Sequence, residues 1–257
     1  MKTILPYIPE RPSKPRNYGL TMVMDKGLSL REAEDFMSVG SEYTDYVKLG
    51  FGTSIITPGY EKKISLYKNS GTIPYFGGTL FEAFIIRGMY DDFVRLISEN
   101  GIELVEISDG SYDIDHAEKL GYIKKLSKIV TVISEVGSKK KEVVYSPDEW
   151  VSMMKTELQA GSVKVIAEAR ESGTTGIYNE DGTINNRIID AISEHVKLEN
   201  VIWEAPMKSQ QAWFIKHFGA NVNLGNIAPT EIIPLESLRC GLRGDTFFQF
   251  LPGNLKQ

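Results

Sequence analysis

The chain has 257 residues, of which 42% are hydrophobic and 25% are charged, and it contains one cysteine, Cys240. These values are typical of a soluble globular protein long enough for one large α/β barrel, and they exclude an intramolecular disulfide. The formal net charge of −5 argues against a general nucleic-acid surface, and no apolar stretch is long enough for a signal peptide or a membrane span. We therefore expect a cytoplasmic protein that binds neither nucleic acid nor membranes.

Short apolar runs alternate with helical patterns along the whole chain. The runs predict strands over residues 18–25, 45–50, 73–78, 103–109, 129–137, 162–170, 201–206 and 221–227. The helical patterns cover residues 30–39, 59–70, 80–99, 115–127, 147–161, 185–196, 208–218 and 230–241, with a break expected at Gly88.

This alternation predicts an α/β fold made of a single (β/α)₈ TIM barrel over residues 1–257, with residues 1–17 as an N-terminal extension. A doubly wound open sheet is the main rival. It would usually use fewer strands at this length, and no Gly-x-Gly-x-x-Gly follows the first strand. The basic, proline-rich segment 11–16 could cover the barrel bottom or meet a partner subunit.

The fifth predicted strand is apolar and β-branched over residues 129–133, and it then opens into Glu135, Gly137 and Lys139. In α/β barrels, catalytic residues lie at the C-terminal ends of the strands. The irregular segment 171–184, which follows the sixth strand, is therefore a candidate active-site loop.

Other predicted strands end in the same way, and residues two apart share a face of a strand. Candidate groups at these ends are Asp25, Lys48, Glu106 with Ser108, Glu135 with Lys139, Glu168 with Arg170, Glu204, and Asn223 with Asn226. Several carboxylates without a histidine or cysteine cluster suit Mg²⁺. The alternative is that these groups form ion pairs inside the barrel.

Glycine-rich strand ends are candidate anion sites. The backbone N–H groups of Gly77, Gly78 and Thr79, which open a predicted helix, could cradle a phosphate or a carboxylate. Phosphate sites in barrels often follow strands seven and eight, which makes Lys208, Ser209 and Asn226 second-line candidates.

With these residues identified, the chain resembles the phosphosulfolactate synthase family. The matching segments run in order along nearly the whole chain: 14–16, 45–54, 76–82 (FGGTLFE), 105–110, 134–139 (SEVGSK), 168–173 (EARESG), 203–206 (WEAP), 221–227 (NVNLGNI) and 235–247. Each segment is weak alone, and together they are highly specific.

The resemblance implies a barrel enzyme that adds sulfite to phosphoenolpyruvate with Mg²⁺, giving (2R)-phospho-3-sulfolactate. In methanogens this reaction opens a route to coenzyme M. The resemblance also implies a homo-oligomer. For this reaction, we expect some of Glu106, Glu135 and Glu168 to hold Mg²⁺. The catalytic residues would be Lys48, Lys139 and Arg170, with Lys139 as the general acid.

Two other functions stay open. The same family resemblance extends to plant heat-stress-associated proteins, so one alternative is a non-enzymatic interaction protein on the same barrel. The other is a different Mg²⁺-dependent lyase that acts on another phospho-enol acid.

Overall fold

A computed structural model describes residues 5–137, 144–170 and 172–256 of the chain. Eight parallel strands close into a barrel in which each strand pairs with its neighbours in sequence and β1 pairs with β8. The strands are β1 (Thr21–Asp25), β2 (Tyr46–Leu49), β3 (Ile73–Phe76), β4 (Leu104–Ile107), β5 (Thr131–Val136), β6 (Lys164–Ala167), β7 (Val201–Glu204) and β8 (Leu224–Ile227). The predicted (β/α)₈ barrel is therefore confirmed.

Helices connect the strands and surround the barrel. They are α1 (Leu30–Gly40), α2 (Thr53–Ile56), α3 (Tyr60–Asn69), α4 (Gly78–Ile85), α5 (Tyr90–Glu99), α6 (His116–Leu126), α7 (Pro147–Ala160), α8 (Asn186–His195), α9 (Lys208–Phe218) and α10 (Ile232–Arg239). Within the described residues, no helix combines the length and the hydrophobicity that a membrane span requires.

Local sequence signals account for several helix boundaries. Ser29 begins α1 and Ser146 begins α7, each through a reciprocal capping box with a glutamate three residues later. The predicted break at Gly88 is confirmed, because α4 and α5 are separate helices and Gly88 has a φ of +68°. The short helix α2 was not predicted. It follows a left-handed Gly52, and four residues are too few to show a helical period.

Inward-facing side chains form two layers in the barrel. The lower layer is apolar and consists of Met22, Tyr75, Leu104, Ile133, Ile166 and Ile202, with Tyr46 packed against it. Because strand side chains alternate, the next inward position on a strand lies two residues further on. On five strands that position carries a buried charge: Lys48, Glu106, Glu135, Glu168 and Glu204. Outward-facing residues pack against the helices in the main hydrophobic core.

Trp203 illustrates the outward face. Its indole is fully buried and stacks on Phe214 and Phe218 of α9, with ring centroids 5.2 and 5.7 Å away. Trp203 therefore contacts the helix layer, as its parity relative to Glu204 predicts.

The N-terminal extension lies across the barrel bottom. Arg11 pairs with Glu236 at 2.9 Å, and Arg16 pairs with Asp45, just before β2, also at 2.9 Å. The ammonium of Lys14 donates to the backbone oxygens of Ser41 and Thr44. Of the two roles open for this segment, the structure shows the first, because it covers the bottom.

Candidate active site

Lys48 is the central cation of the barrel mouth. Its Nζ lies 2.8 Å from Oε1 of Glu106, 3.1 Å from Oε2 of Glu135 and 3.8 Å from Oε1 of Glu204. Burial alone would lower the pKa of Lys48, but the three carboxylates raise it well above its ordinary value. Lys48 is therefore a charged ammonium shared by three acidic side chains.

Glu106, on β4, belongs to this ion-pair network and also accepts hydrogen bonds from β3 and α4. Its Oε1 accepts a hydrogen bond from the backbone N–H of Gly78 at 2.7 Å, and its Oε2 accepts one from the Tyr75 hydroxyl at 3.1 Å. Burial raises the pKa of Glu106, and Lys48 opposes that rise. With both oxygens engaged, Glu106 is committed to contacts inside the barrel.

A different set of glutamates meets at the mouth. Glu135, Glu168 and Glu204, from adjacent strands, each present a carboxylate oxygen within 4.8 Å of the other two. All three residues are buried. The metal set predicted from the sequence was Glu106, Glu135 and Glu168; two of these residues belong to this cluster, and its third member is Glu204.

Gly137 makes the meeting of Glu135 and Glu168 possible. Its φ is +130°, and a Cβ there would lie 2.6 Å from Cβ of Glu168 and 2.7 Å from the Trp150 ring. The chain leaving β5 can therefore pass close to the end of β6 only where the residue has no side chain.

Glu204 is held at the mouth by neutral donors as well as by Lys48. Its Oε2 accepts from the backbone N–H of Ala169 at 2.9 Å and from Nδ2 of Asn226 at 3.4 Å. Burial raises the pKa of Glu204 to about 7, with Lys48 opposing the rise and Glu135 adding to it. A further cation that binds nearby would therefore stabilise the ionised form of this carboxylate.

Above these groups lies an open cavity of about 500 Å³. Such a volume suits a small molecule. The wall includes predicted site residues, unpredicted apolar ones and Glu204; its members are Met24, Lys48, Phe51, Thr79, Glu135, Glu168, Ala169, Arg170, Ser172, Glu204 and Asn226. Lys139, the proposed general acid, lies outside the described residues.

Gly77, Gly78 and Ser108 are not part of this wall. The N–H of Gly77 donates to Leu49 at 3.1 Å, and that of Gly78 donates to Glu106, so neither is available for an anion. The hydroxyl of Ser108 donates to Glu82. The groups of these three residues are thus engaged inside the protein, whereas Thr79 and Asn226 line the cavity.

The glycines serve close packing instead. A Cβ at Gly78 would lie 2.2 Å from Oγ of Ser108, and one at Gly77 would lie 3.0 Å from Cε of Lys48. The missing side chains thus make room for the Lys48 network.

Three other candidates also lie elsewhere. Asp25 faces the helices, where Lys63 and the Tyr67 hydroxyl each contact its Oδ2 at 2.8 Å. Asn223 precedes β8 at the barrel bottom and bonds the backbone of Leu20 and Val201. Lys208 pairs with Asp245 at 3.1 Å.

Sequence reasoning missed Phe51 and the grouping of Glu204 with Glu135 and Glu168. Phe51 has a φ of +55° and is 49% exposed beside the cavity. A signal for Phe51 was its place between two glycines at a strand end. Glu204 had the required strand-end position, but sequence spacing could not rank it above Glu106.

Comparison with known proteins identifies relatives along nearly the whole chain. The profile of the (2R)-phospho-3-sulfolactate synthase family matches residues 9–245. The chain is 42% identical to phosphosulfolactate synthase of Bacillus subtilis over 244 residues, covering 94% of this chain and 97% of that protein. It is 43% identical to the Methanocaldococcus jannaschii protein of the same name over 235 residues, covering 89% and 94%.

More distant relatives and solved structures are also similar to this chain. The heat-stress-associated protein 32 of Arabidopsis thaliana is 22% identical over 260 residues, covering 90% of this chain and 88% of that protein. The crystal structure of 3-hexulose-6-phosphate synthase from Salmonella typhimurium superimposes with a TM-score of 0.57 at 12% identity, covering 87% of this chain and 100% of that one. At that identity the similarity supports the barrel fold alone.

Proposed function

This chain belongs to the (2R)-phospho-3-sulfolactate synthase family, and we propose that it adds sulfite to phosphoenolpyruvate in a Mg²⁺-dependent reaction, as a carbon–sulfur lyase. One observation carries the proposal beyond family membership. Three buried glutamates converge beside Lys48 and Arg170 on a cavity sized for a small molecule. Such a site suits a small anion that binds together with a divalent cation.

The residues present fit Mg²⁺. The donors of Glu135, Glu168 and Glu204 are all carboxylate oxygens, and their separations of up to 4.8 Å need little adjustment to surround one ion. Oxygens around Mg²⁺ lie at about 2.1 Å from the ion, hence roughly 3–4 Å apart. We therefore assign these three glutamates as the residues that would hold it. When bound, Mg²⁺ would supply positive charge that stabilises the charge developing on the substrate carboxylate.

The remaining wall residues suit the phosphate and sulfite charges. Arg170 is partly buried at the cavity wall, and a guanidinium binds phosphate through two parallel hydrogen bonds. Ser172, Thr79 and Asn226 offer neutral polar groups beside it. Lys48 is shared by carboxylates, so its contribution is to keep those carboxylates ionised and in place.

The proposed reaction forms one carbon–sulfur bond and needs no oxidant. The sulfur lone pair of sulfite attacks C3 of phosphoenolpyruvate, and the electron pair of the C2–C3 double bond moves toward the carboxylate. A proton then adds at C2 and gives (2R)-phospho-3-sulfolactate. Lys139 remains our candidate for the proton donor, because in the sequence it lies four residues after Glu135, whose side chain is at the barrel mouth.

A direct assay tests this function. The purified full-length protein is incubated with phosphoenolpyruvate, sulfite and Mg²⁺, and phosphosulfolactate is followed by phosphorus NMR and mass spectrometry. We expect product only when both substrates and Mg²⁺ are present, and almost none with Glu168→Gln. The control is Glu236→Gln, which changes a buried glutamate at the barrel bottom.

Failure would separate the alternatives. A folded protein that binds Mg²⁺ and consumes other phospho-enol acids would be a different lyase. A folded protein that binds neither Mg²⁺ nor phosphoenolpyruvate would favour a non-enzymatic interaction protein. Coenzyme M synthesis, the cytoplasmic location and the homo-oligomer stay predictions.

A further inference from the structure

The backbone carbonyl of each of the three clustered glutamates accepts a hydrogen bond from outside the barrel sheet. The ammonium of Lys119 donates to the carbonyl of Glu135 at 2.6 Å. The N–H of Ile177 donates to that of Glu168 at 3.3 Å, and the Tyr178 hydroxyl donates to that of Glu204 at 2.5 Å. These donors lie in the helix layer and in the loop after β6.

Lys119 joins four parts of the fold. Its ammonium, on α6, also contacts Asp109 after β4 at 2.9 Å and Glu157 of α7 at 2.8 Å. The side chain is 1% exposed, so all three donors are used inside the protein. Burial alone would lower the pKa of Lys119, but Glu157 and Asp109 raise it, which keeps the ammonium charged.

Tyr178 contacts the end of β7 in the way that Lys119 contacts β5. It belongs to the loop after β6, where it forms an isolated antiparallel bridge with Ile184. Its side chain is nearly fully buried, and its hydroxyl reaches the last residue of β7. A buried hydroxyl aimed at one carbonyl fixes that carbonyl in direction as well as in distance.

We infer that Lys119 and Tyr178 are positioning residues: by holding the carbonyls of Glu135 and Glu204, they set the spacing of the carboxylates that bind the cation. The inference rests on the metal site of the proposed function. Outer groups that orient metal ligands typically change metal affinity or activity by about 10–100-fold when removed. Burying a lysine among two carboxylates is costly, and a purely packing role is met as well by apolar residues.

The chain provides a matched pair of controls. Lys63 and Tyr67 of α3 are also buried, and both contact the last residue of β1, Asp25. Asp25 does not line the cavity. Replacing Lys63 by Met, or Tyr67 by Phe, therefore removes the same chemical groups, an ammonium or a hydroxyl, from beside the end of β1. That strand end contributes none of the three clustered glutamates.

The test is a titration of the full-length protein with Mn²⁺ alone, followed by electron paramagnetic resonance, alongside urea unfolding. We expect Lys119→Met and Tyr178→Phe each to weaken Mn²⁺ binding by about tenfold or more. Lys63→Met and Tyr67→Phe should lose comparable stability and leave Mn²⁺ affinity unchanged. Tyr178→Phe removes only one hydroxyl, so its Mn²⁺ affinity tests the inference even if Lys119→Met does not fold.

Three results would overturn the inference. The first is unchanged Mn²⁺ affinity in Tyr178→Phe, and the second is equal losses of Mn²⁺ affinity in the test and control variants. The third is a wild-type protein that binds no Mn²⁺, which removes the metal site as well. A wild-type protein that binds Mn²⁺ but forms no phosphosulfolactate would defeat only the proposed reaction, and the variants would still decide the positioning roles.

Discussion

Lys48 links three glutamates of different strands inside the barrel. Its ammonium lies within 4 Å of the three carboxylates, and its side chain is 7% exposed. Breaking a buried ion pair from one side leaves an uncompensated charge, which is more costly than removing an exposed pair. Lys48 is therefore needed for folding as well as for the site.

Replacing Lys48 by Met should lower the unfolding free energy of the metal-free protein by about 3–5 kcal/mol. Urea unfolding in EDTA measures this change. Lys208→Met is the control, since Lys208 is 47% exposed and pairs with a partly exposed Asp245. That variant should differ from wild type by less than about 0.5 kcal/mol. Equal losses in the two variants would mean that Lys48 does not hold the carboxylates.

Strand parity was enough to predict that Lys48, Glu135 and Glu168 point toward one mouth. It could not decide whether Glu106 or Glu204 is the better candidate for a metal ligand, because both lie at inward positions of strand ends. The choice depends on neighbours: the Tyr75 hydroxyl and the Gly78 N–H engage Glu106. Such pairings between side chains and loops depend on the tertiary structure, which sequence spacing does not encode.

At the scale of elements, the end of β5 is closely packed against the end of β6 and against α7. The chain there passes Glu168 and Trp150 at distances that only glycine permits. The Ser-Glu-Val-Gly pattern is thus a geometric requirement of two strand ends that must bring their glutamates together.

Gly137→Ala should separate Glu135 from Glu168 and weaken Mn²⁺ binding by at least about tenfold, because a Cβ would collide with both neighbours. Gly219→Ala is the control. Gly219 has a φ of +91°, but a Cβ there would meet nothing within 4 Å. Both variants should lose stability through an unfavourable φ, and Gly137→Ala should lose more because of the collision, whereas Mn²⁺ affinity should fall only in Gly137→Ala. An unchanged affinity there would show that β5 can move away without disturbing the cluster.

The N-terminal extension closes the opposite end through charge. Arg16 pairs with Asp45, whose Oδ2 also accepts from the N–H of Thr21 at 2.8 Å. Burial raises the pKa of Asp45, and Arg16 opposes that rise. The basic residues in this segment were visible in the sequence, but their partners, which are mostly backbone oxygens and distant carboxylates, were not.

Arg16→Met should destabilise the protein more at pH 7.5 than at pH 4.5. Without Arg16 the pKa of Asp45 rises further, so the folded state holds a proton that the unfolded state releases above about pH 4. The folded state therefore loses stability as pH rises through that window, relative to wild type. Urea unfolding at both pH values measures the difference. Arg95→Met, which removes an exposed pair with Asp92, should show no such pH dependence.

For the whole molecule, the alternation of strands and helices was sufficient to predict the barrel, because connections between parallel strands must cross the sheet. Closing the barrel then imposes a condition that no single element shows. Three buried glutamates from the ends of β5, β6 and β7 present carboxylate oxygens to one another at the mouth, beside the ammonium of Lys48. A cation that binds these carboxylates together can bind only the folded state, in which the three strand ends meet.

Mg²⁺ should therefore raise the thermal stability of the whole protein. At 100 times its Kd, a ligand that binds only the folded state adds about 2.7 kcal/mol, which corresponds to roughly 5–10 °C in Tm for a chain of this size. Calorimetry with and without Mg²⁺ measures the shift. Changing Glu135, Glu168 and Glu204 together to Gln should abolish the response to Mg²⁺, because no carboxylate of the cluster remains to bind the ion. Glu236→Gln should keep the full response, because Glu236 lies at the barrel bottom beside Arg11. A Mg²⁺ shift that survives in the triple variant would place the cation elsewhere on the molecule.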